Sequence, residues 1–277
     1  MKISVSSYSF SQLLNQGLHT QFSLIPLAAE LGFTGIEFTD LTPPDGLSEA
    51  QYAVLLREEA KRRGLEIVAY TVGANLLADD PEAEVERLCR KVDVAGLLGA
   101  PLLRHDAYFA FPENAPREAD FAYYLPCVIK LFRRVTDYAE TKGIKTCTEN
   151  HGLICQDPER VEAIVTGVDS SNFGWLVDIG NFLCADCDPL ESVKRAAPYA
   201  FHVHAKDFSH SEASGFRSRG GKLLRGATLG DGVVPVKDCL NVLFSTGYQG
   251  FVTVEYEGAE PVLPALAKSI SLLKAME

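Results

Sequence analysis

The stretch Ala200-Phe201-His202-Val203-His204-Ala205-Lys206-Asp207 decides how the rest of the chain is read. Its side chains alternate between apolar and polar, as they do on a strand whose successive residues point to opposite faces. Phe201, Val203 and Ala205 make one set, and His202, His204 and Lys206 the other. If the apolar set meets covering helices, the polar set turns into the interior of a barrel. Three other hydrophobic runs close on a carboxylate: IKTCTE at Glu149, FGWLVD at Asp178 and GFVTVE at Glu255. The same parity turns Glu149, Asp178 and Glu255 inward.

Outward from these runs, short β-branched segments alternate with amphipathic ones. The expected strands are Ile3–Ser7, Gly35–Phe38, Glu66–Thr71, Leu102–His105, Ile144–Glu149, Phe173–Asp178, Ala200–Lys206 and Phe251–Glu255. The helical stretches between them cover about 23–31, 48–63, 81–98, 121–141, 158–166, 189–196, 236–246 and 262–274. Asp80-Pro81, Asp157-Pro158 and Asp188-Pro189 each set an N-cap residue before a proline at the first helical position. Gly32, Gly64 and Gly143 follow helical runs where a left-handed cap is expected. Strict alternation of strand and helix predicts an α/β fold, a (β/α)8 TIM barrel of one domain over residues 1–277. No GxGxxG follows the first strand, which argues against dinucleotide binding.

Composition narrows the partners. The chain has 277 residues, 47% of them hydrophobic, and a formal charge of −11. Such a field repels phosphate backbones and anionic lipid surfaces, so neither nucleic acid nor membrane is the expected partner. No apolar stretch approaches the ~20 residues of a transmembrane helix, and MKISVSSYSF reads as a first strand rather than a signal peptide. A cytoplasmic location is expected. The seven cysteines are scattered and odd in number, and read as small buried hydrophobes rather than disulfides. Cys184-Ala-Asp-Cys187 has no second CxxC to complete a zinc site. The two long connections are 106–120, with Tyr108, Phe109 and Phe111, and 207–235, with Arg217, Arg219, Lys222 and Arg225. Loops of this length are usually functional or disordered. The aromatic stretch suits a lid or a contact in a homo-oligomer. The basic cluster suits either a substrate cover or a solvated loop.

In a parallel barrel the C-terminal strand ends converge on one face, and neighbouring strands stand ~4.8 Å apart. Glu149, Asp178, His204 and Glu255 are thereby expected to meet. Three carboxylates and an imidazole would repel one another there unless a divalent cation sat among them. Oxygen-rich ligation with one imidazole suits Mn²⁺, Mg²⁺ or Co²⁺, and zinc also tolerates it. His202, inward but deeper, reads as a hydrogen-bonded core residue. Lys206 faces the pocket by parity. His105, ending the fourth strand, and His151, two residues past Glu149, are spare imidazoles near the mouth and are taken as substrate contacts.

The segments TEN at Glu149, VDIGNF at Asp178, HVHAKD at His204 and VEYEG at Glu255 resemble the sugar phosphate isomerase/epimerase family of xylose isomerase-like barrels. The resemblance extends over nearly the whole chain, including Gly35-Ile36-Glu37 and Gly230-Asp231-Gly232. It implies a Glu–Asp–His–Glu metal site on Glu149, Asp178, His204 and Glu255, with a small carbohydrate as substrate. It further implies that Glu149 and Glu255 act as acid and base on opposite faces of the sugar. The function expected is isomerisation or epimerisation of a small sugar, keto-sugar or sugar phosphate through an enediolate.

Departures from the family pattern fall on substrate contacts. Asn181 stands where many relatives carry a histidine; it can bond a hydroxyl but not shuttle a proton. Cys155 replaces a substrate-binding glutamate of the epimerases, and Ala227 replaces their arginine, with Arg225 two residues away as a substitute. Within the same fold, an inosose-type dehydratase would use the same metal and carboxylates. An apurinic endonuclease-like hydrolase is a further alternative. It needs three metals and more histidines than Asn181 and the third strand leave available.

Overall fold

The computed structural model describes residues 1–113 and 115–276. Strands β1 (Lys2–Ser6), β2 (Gly35–Thr39), β3 (Glu66–Val72), β4 (Leu102–His105), β5 (Lys145–Glu149), β6 (Phe173–Asp178) and β7 (Ala200–Ala205) run parallel and in sequence order. Three short strands, β8 (Asp207–His210), β9 (Phe216–Arg217) and β10 (Leu223–Ala227), form a separate sheet. The eighth barrel strand, β11 (Phe251–Val254), pairs with both β7 and β1 and closes the ring. The expected strands all form, with ends moved by one residue at most.

One turn of helix, α1 (Ser11–Asn15), precedes α2 (Gln21–Glu30), α3 (Glu49–Arg63), α4 (Pro81–Leu98), α5 (Phe121–Thr141), α6 (Pro158–Val168), α7 (Pro189–Ala196), α8 (Val236–Ser245) and α9 (Val262–Lys274). Asp80, Asp157 and Asp188 cap α4, α6 and α7, each accepting a backbone N–H from the third helical residue. Those carboxylates satisfy donors that the first turn leaves orphaned and favour the positive end of the helix dipole. Gly64 ends α3 with φ 73°, a conformation open to glycine at little cost. Among the described residues no helix is long and apolar enough to cross a membrane.

The main apolar layer lies between barrel and helices, with Trp175, Phe38, Phe132 and Ile36 fully buried in it. A smaller cluster of Ala69, Leu102, Cys147 and Leu176 forms apart from it, and Phe201 packs against this cluster. Phe201 therefore departs from the outward position its parity predicted. The β6–β7 pairing steps from Trp175–Ala200 to Leu176–His202, so Phe201 is the extra residue of a bulge. A bulge re-aims the side chain it carries, and here the ring lies on Gly174, where a Cβ would come within 2.3 Å of it. The same shift brings Asp178 opposite His204. The glycine-rich connection after β7, expected as a loop, is instead largely this three-stranded antiparallel sheet, in the order β8-β10-β9. Its strands are short and broken by glycines, so no alternation long enough to read as strand appears in the sequence.

Candidate metal centre and active site

A cavity of about 330 Å³ opens over the C-terminal strand ends. Tyr8, Thr39, Asp40, Thr71, Gly73, Arg104, Asp106 and Phe109 line it from the first half of the sequence. Glu149, His151, His204, Lys206, Glu255 and Glu257 line it from the second half.

One ligand atom from each of Glu149, Asp178, His204 and Glu255 lies within 4.8 Å of the other three. His204 Nδ1 stands 3.6 Å from Glu255 Oε1 and 3.8 Å from both Glu149 Oε1 and Asp178 Oδ2. These gaps exceed hydrogen-bond length. Asp178 Oδ2 and His204 Nδ1 are buried and make no hydrogen bond. Buried polar atoms without partners are uncommon and call for an explanation. Here two of them belong to one group of oxygen donors and an imidazole, and that donor set fits a hard divalent cation.

Each of the four is held from behind. Glu37, fully buried on β2, accepts from His204 Nε2 at 3.0 Å, which leaves Nδ1 to face the group. The same carboxylate oxygen lies 3.1 Å from His202 Nε2, and Thr253 Oγ1 lies 2.8 Å from that nitrogen. Burial pushes the Glu37 carboxyl up, but the two imidazoles outweigh it and bring it down to about 2. His202 is thus the hydrogen-bonded core residue that its depth suggested. Asn150 clamps the tips of β5 and β6: its amide donates to Asp178 O, while its oxygen accepts from Asp178 N and from Trp175 Nε1. Asp178 Oδ1 takes the backbone N–H groups of Gly180 and Asn181, both at 2.8 Å. Burial, together with the neighbouring carboxylates, raises Asp178 to about 6 despite Lys206.

Two cations complete the arrangement. Arg104, buried on β4, donates to Glu149 Oε2 at 2.7 Å and to Asp106 Oδ1 at 2.8 Å. Lys206 Nζ lies 2.5 Å from Glu255 Oε2, 3.3 Å from Glu257 and 3.5 Å from Asp178. Burial would raise the Glu255 carboxyl, yet Lys206 and His204 hold it well below the usual carboxylate range. Asn181 bridges the two sides, giving Nδ2–H to Glu149 Oε1 and taking the Lys206 ammonium on Oδ1.

The remaining expected contacts divide. His151 lines the cavity with Nδ1 bonded to Asp106 at 2.9 Å, and Phe109 meets its ring edge-on. Asn181 lies beneath the cavity rather than on its wall. His105 is turned away: it stacks on Phe132 of α5 at 4.7 Å, in the helix layer. Parity explains this, because Arg104 takes the inward position of β4 and its neighbour must face out. Arg225 lies outside the cavity on β10, half exposed and 3.8 Å from Glu260. Arg219 pairs with Asp157, and Lys222 with Asp186, so the basic cluster ties loops together. Cys155 is buried beside Tyr108. Sequence reasoning overlooked Arg104, Asp106, Asn150 and Glu257, and gave Glu37 no role. The inward parity of Arg104 was available; the reach of Glu37 across the barrel was not.

A family model described as xylose isomerase-like TIM barrel matches residues 25–276. An inosose dehydratase of Bacillus thuringiensis (strain Al Hakam) is 25% identical over 272 residues, covering 89% of this chain and 84% of that protein. A xylose isomerase-like TIM barrel protein from Mycobacterium smegmatis, solved in complex with magnesium, superposes with a TM-score of 0.76 at 20% identity over 99% of this chain and 96% of that one. A D-psicose 3-epimerase solved with D-fructose gives 0.73 at 18% identity, over 100% and 99%. At these identities the two solved structures establish likeness of fold.

Proposed function

Because this chain belongs to the family of xylose isomerase-like TIM barrels, we propose that it is a divalent-metal-dependent isomerase or epimerase of a small sugar or keto-sugar. The observation that carries the reading is the group of four ligand atoms within 4.8 Å, two of them buried and without a hydrogen bond among the described residues, at the floor of the cavity. Glu149, Asp178, His204 and Glu255 would hold the ion, and the reading is supported by the Mycobacterium smegmatis protein of like fold having been solved in complex with magnesium. When bound, it supplies Lewis-acid stabilisation of the negative charge that develops beside a carbonyl.

The residues do the rest. Glu255, kept ionised by Lys206, takes the proton from the carbon next to the carbonyl, giving an enediolate. Glu149, gripped by Arg104 and Asn181, serves the opposite face. Delivery of that proton by the same carboxylate to the former carbonyl carbon, with the hydroxyl proton passing to the other oxygen, moves the carbonyl; protonation of the original carbon from the opposite face by the other carboxylate inverts the centre. Asp106 fixes the orientation of His151, whose other nitrogen is left for a substrate hydroxyl. Phe109 and Tyr8 add aromatic surface to the cavity wall.

A second reading, dehydration of an inosose-like keto-cyclitol, is favoured by the similarity to inosose dehydratase. It shares the first proton abstraction and then expels a hydroxyl from the adjacent carbon. The nuclease alternative gains nothing from the geometry, since His105 points away from the cavity and Asn181 offers no imidazole.

Metal analysis of the purified protein, followed by incubation of ketoses and keto-cyclitols in deuterium oxide, tests the proposal. Deuterium at a carbon beside the carbonyl with unchanged skeleton mass supports isomerisation, and loss of one water supports the lyase. No exchange from any metal-loaded sample would overturn both.

A further inference from the structure

We infer that the site takes a neutral polyhydroxylated ketone and rejects its phosphate esters. This rests on the proposed function and names the substrate class of that site. Five carboxylates line the cavity, Asp40, Asp106, Glu149, Glu255 and Glu257, against two permanently charged cations, Arg104 and Lys206. Neither cation turns an accessible unpaired donor to the cavity, since Arg104 Nε, which has no hydrogen-bond partner among the described residues, is buried. Arg104 is committed to Asp106 and Glu149, and Lys206 to Glu255, Glu257 and Asp178. Lys91 stands behind Asp40 at 2.8 Å but is shared with Glu49 at 2.6 Å. A divalent cation at the quartet leaves the wall acidic. A dianionic phosphate entering it meets like charge and, among the described residues, no accessible unpaired cation.

The backbone reinforces the point. Barrels of this kind often bind phosphate through N–H groups of the loops after the last strands. In this chain four donors of the connection after β7 are already taken by an internal carboxylate. Asp207, directly after β7, accepts from the backbone N–H groups of Phe208, Gly230, Gly232 and Val234 at 2.9–3.1 Å. A Cβ at Gly232 would come within 2.1 Å of Asp207 Oδ1, so the glycine is what lets the loop wrap that close. Asp178 Oδ1 likewise fills the pair of N–H groups after β6. Of the basic residues in the 207–235 connection, Arg219, Lys222 and Arg225 pair with Asp157, Asp186 and Glu260, Arg217 donates to the Gly221 carbonyl, and none of the four lines the cavity.

The test reads binding without turnover, so it stays separate from the question of enolisation. Metal-loaded wild-type protein is titrated calorimetrically with ketohexoses and keto-inositols and with the monophosphate ester of each, and separately with inorganic phosphate. The expected result is binding of at least one neutral ketone, weakened tenfold or more by phosphorylation, with no competition from inorganic phosphate at 100-fold excess over the ketone. Equal or tighter binding of an ester, displacement of the ketone by inorganic phosphate, or absence of binding by every neutral member would overturn the inference. Deuterium exchange into an ester at a rate matching its parent ketone would also overturn it, while leaving the proposed function standing.

Discussion

Glu37→Gln keeps the volume of a fully buried side chain and removes its charge. In the native barrel this carboxylate accepts from His204 Nε2 at 3.0 Å and stands 3.1 Å from His202 Nε2. The amide can accept from one imidazole while presenting its NH₂ to the other. For His204, a charge-assisted hydrogen bond becomes a neutral one, a loss of about 1–2 kcal/mol, or roughly 5- to 30-fold in affinity at 1.4 kcal/mol per decade. Loss of a carboxylate behind a metal-bound histidine typically costs about 10- to 100-fold in affinity. The two ranges overlap at about 10- to 30-fold, which is the expected rise in the Kd for Mn²⁺. Electron paramagnetic resonance of free Mn²⁺ during titration measures it, and circular dichroism checks that the barrel is intact. A folded variant whose Kd stays within about twofold of the wild type would refute the view that Glu37 orients His204 towards a cation.

Other outcomes follow from the same geometry. Glu149→Gln and Glu255→Gln should each lower solvent deuterium exchange by about 10²-fold or more with the fold retained; full exchange in either would remove that residue from the mechanism. Arg104→Met leaves Asp106 and Glu149 buried without their shared guanidinium, a loss of about 3–5 kcal/mol in urea unfolding; a loss under about 1 kcal/mol would contradict the pairing. Chelation of a metal-saturated sample should lower Tm by several degrees, because an ion bound only by the native state at 100-fold excess over its Kd adds about 2.7 kcal/mol; an unchanged Tm with full activity would count against a bound ion. His105→Phe should preserve exchange activity, since the ring packs on Phe132 and its Nε2 makes no hydrogen bond. A drop beyond about tenfold would return His105 to the reaction.

The barrel was legible because its signals are local. Asp-Pro caps, glycines after helices and β-branched runs each mark an element within a few residues, and the expected strands appear within one residue of their ends. The quartet was legible as well, since period-two parity and strand order are enough to bring Glu149, Asp178, His204 and Glu255 to one place. Contacts that depend on reach across the barrel were not. Glu37 meets residues 165 and 167 positions away, and nothing in Gly35-Ile36-Glu37 announces them. His105 was misplaced by treating nearness to a strand end as inwardness, although Arg104 beside it had the inward parity. The β8-β10-β9 sheet escaped because its hairpins are short and glycine-interrupted. Phe201 escaped because a bulge suspends the alternation on which its placement relied.

The cavity wall is drawn from the whole chain, but its labour is unevenly shared. All four members of the quartet follow residue 148, while Thr39, Asp40, Thr71 and Phe109 precede residue 110 and line the cavity without making any of the contacts described above to the quartet. Glu37, Arg104, Asp106 and Tyr8, which donates to Glu257, are the residues of the amino-terminal half described above as meeting the quartet or its partners. If the proposed function holds, a mutational library confined to those four wall positions would redraw which keto-sugar fits while leaving the quartet and its supports in place, a separation that suits the scaffold to retargeting.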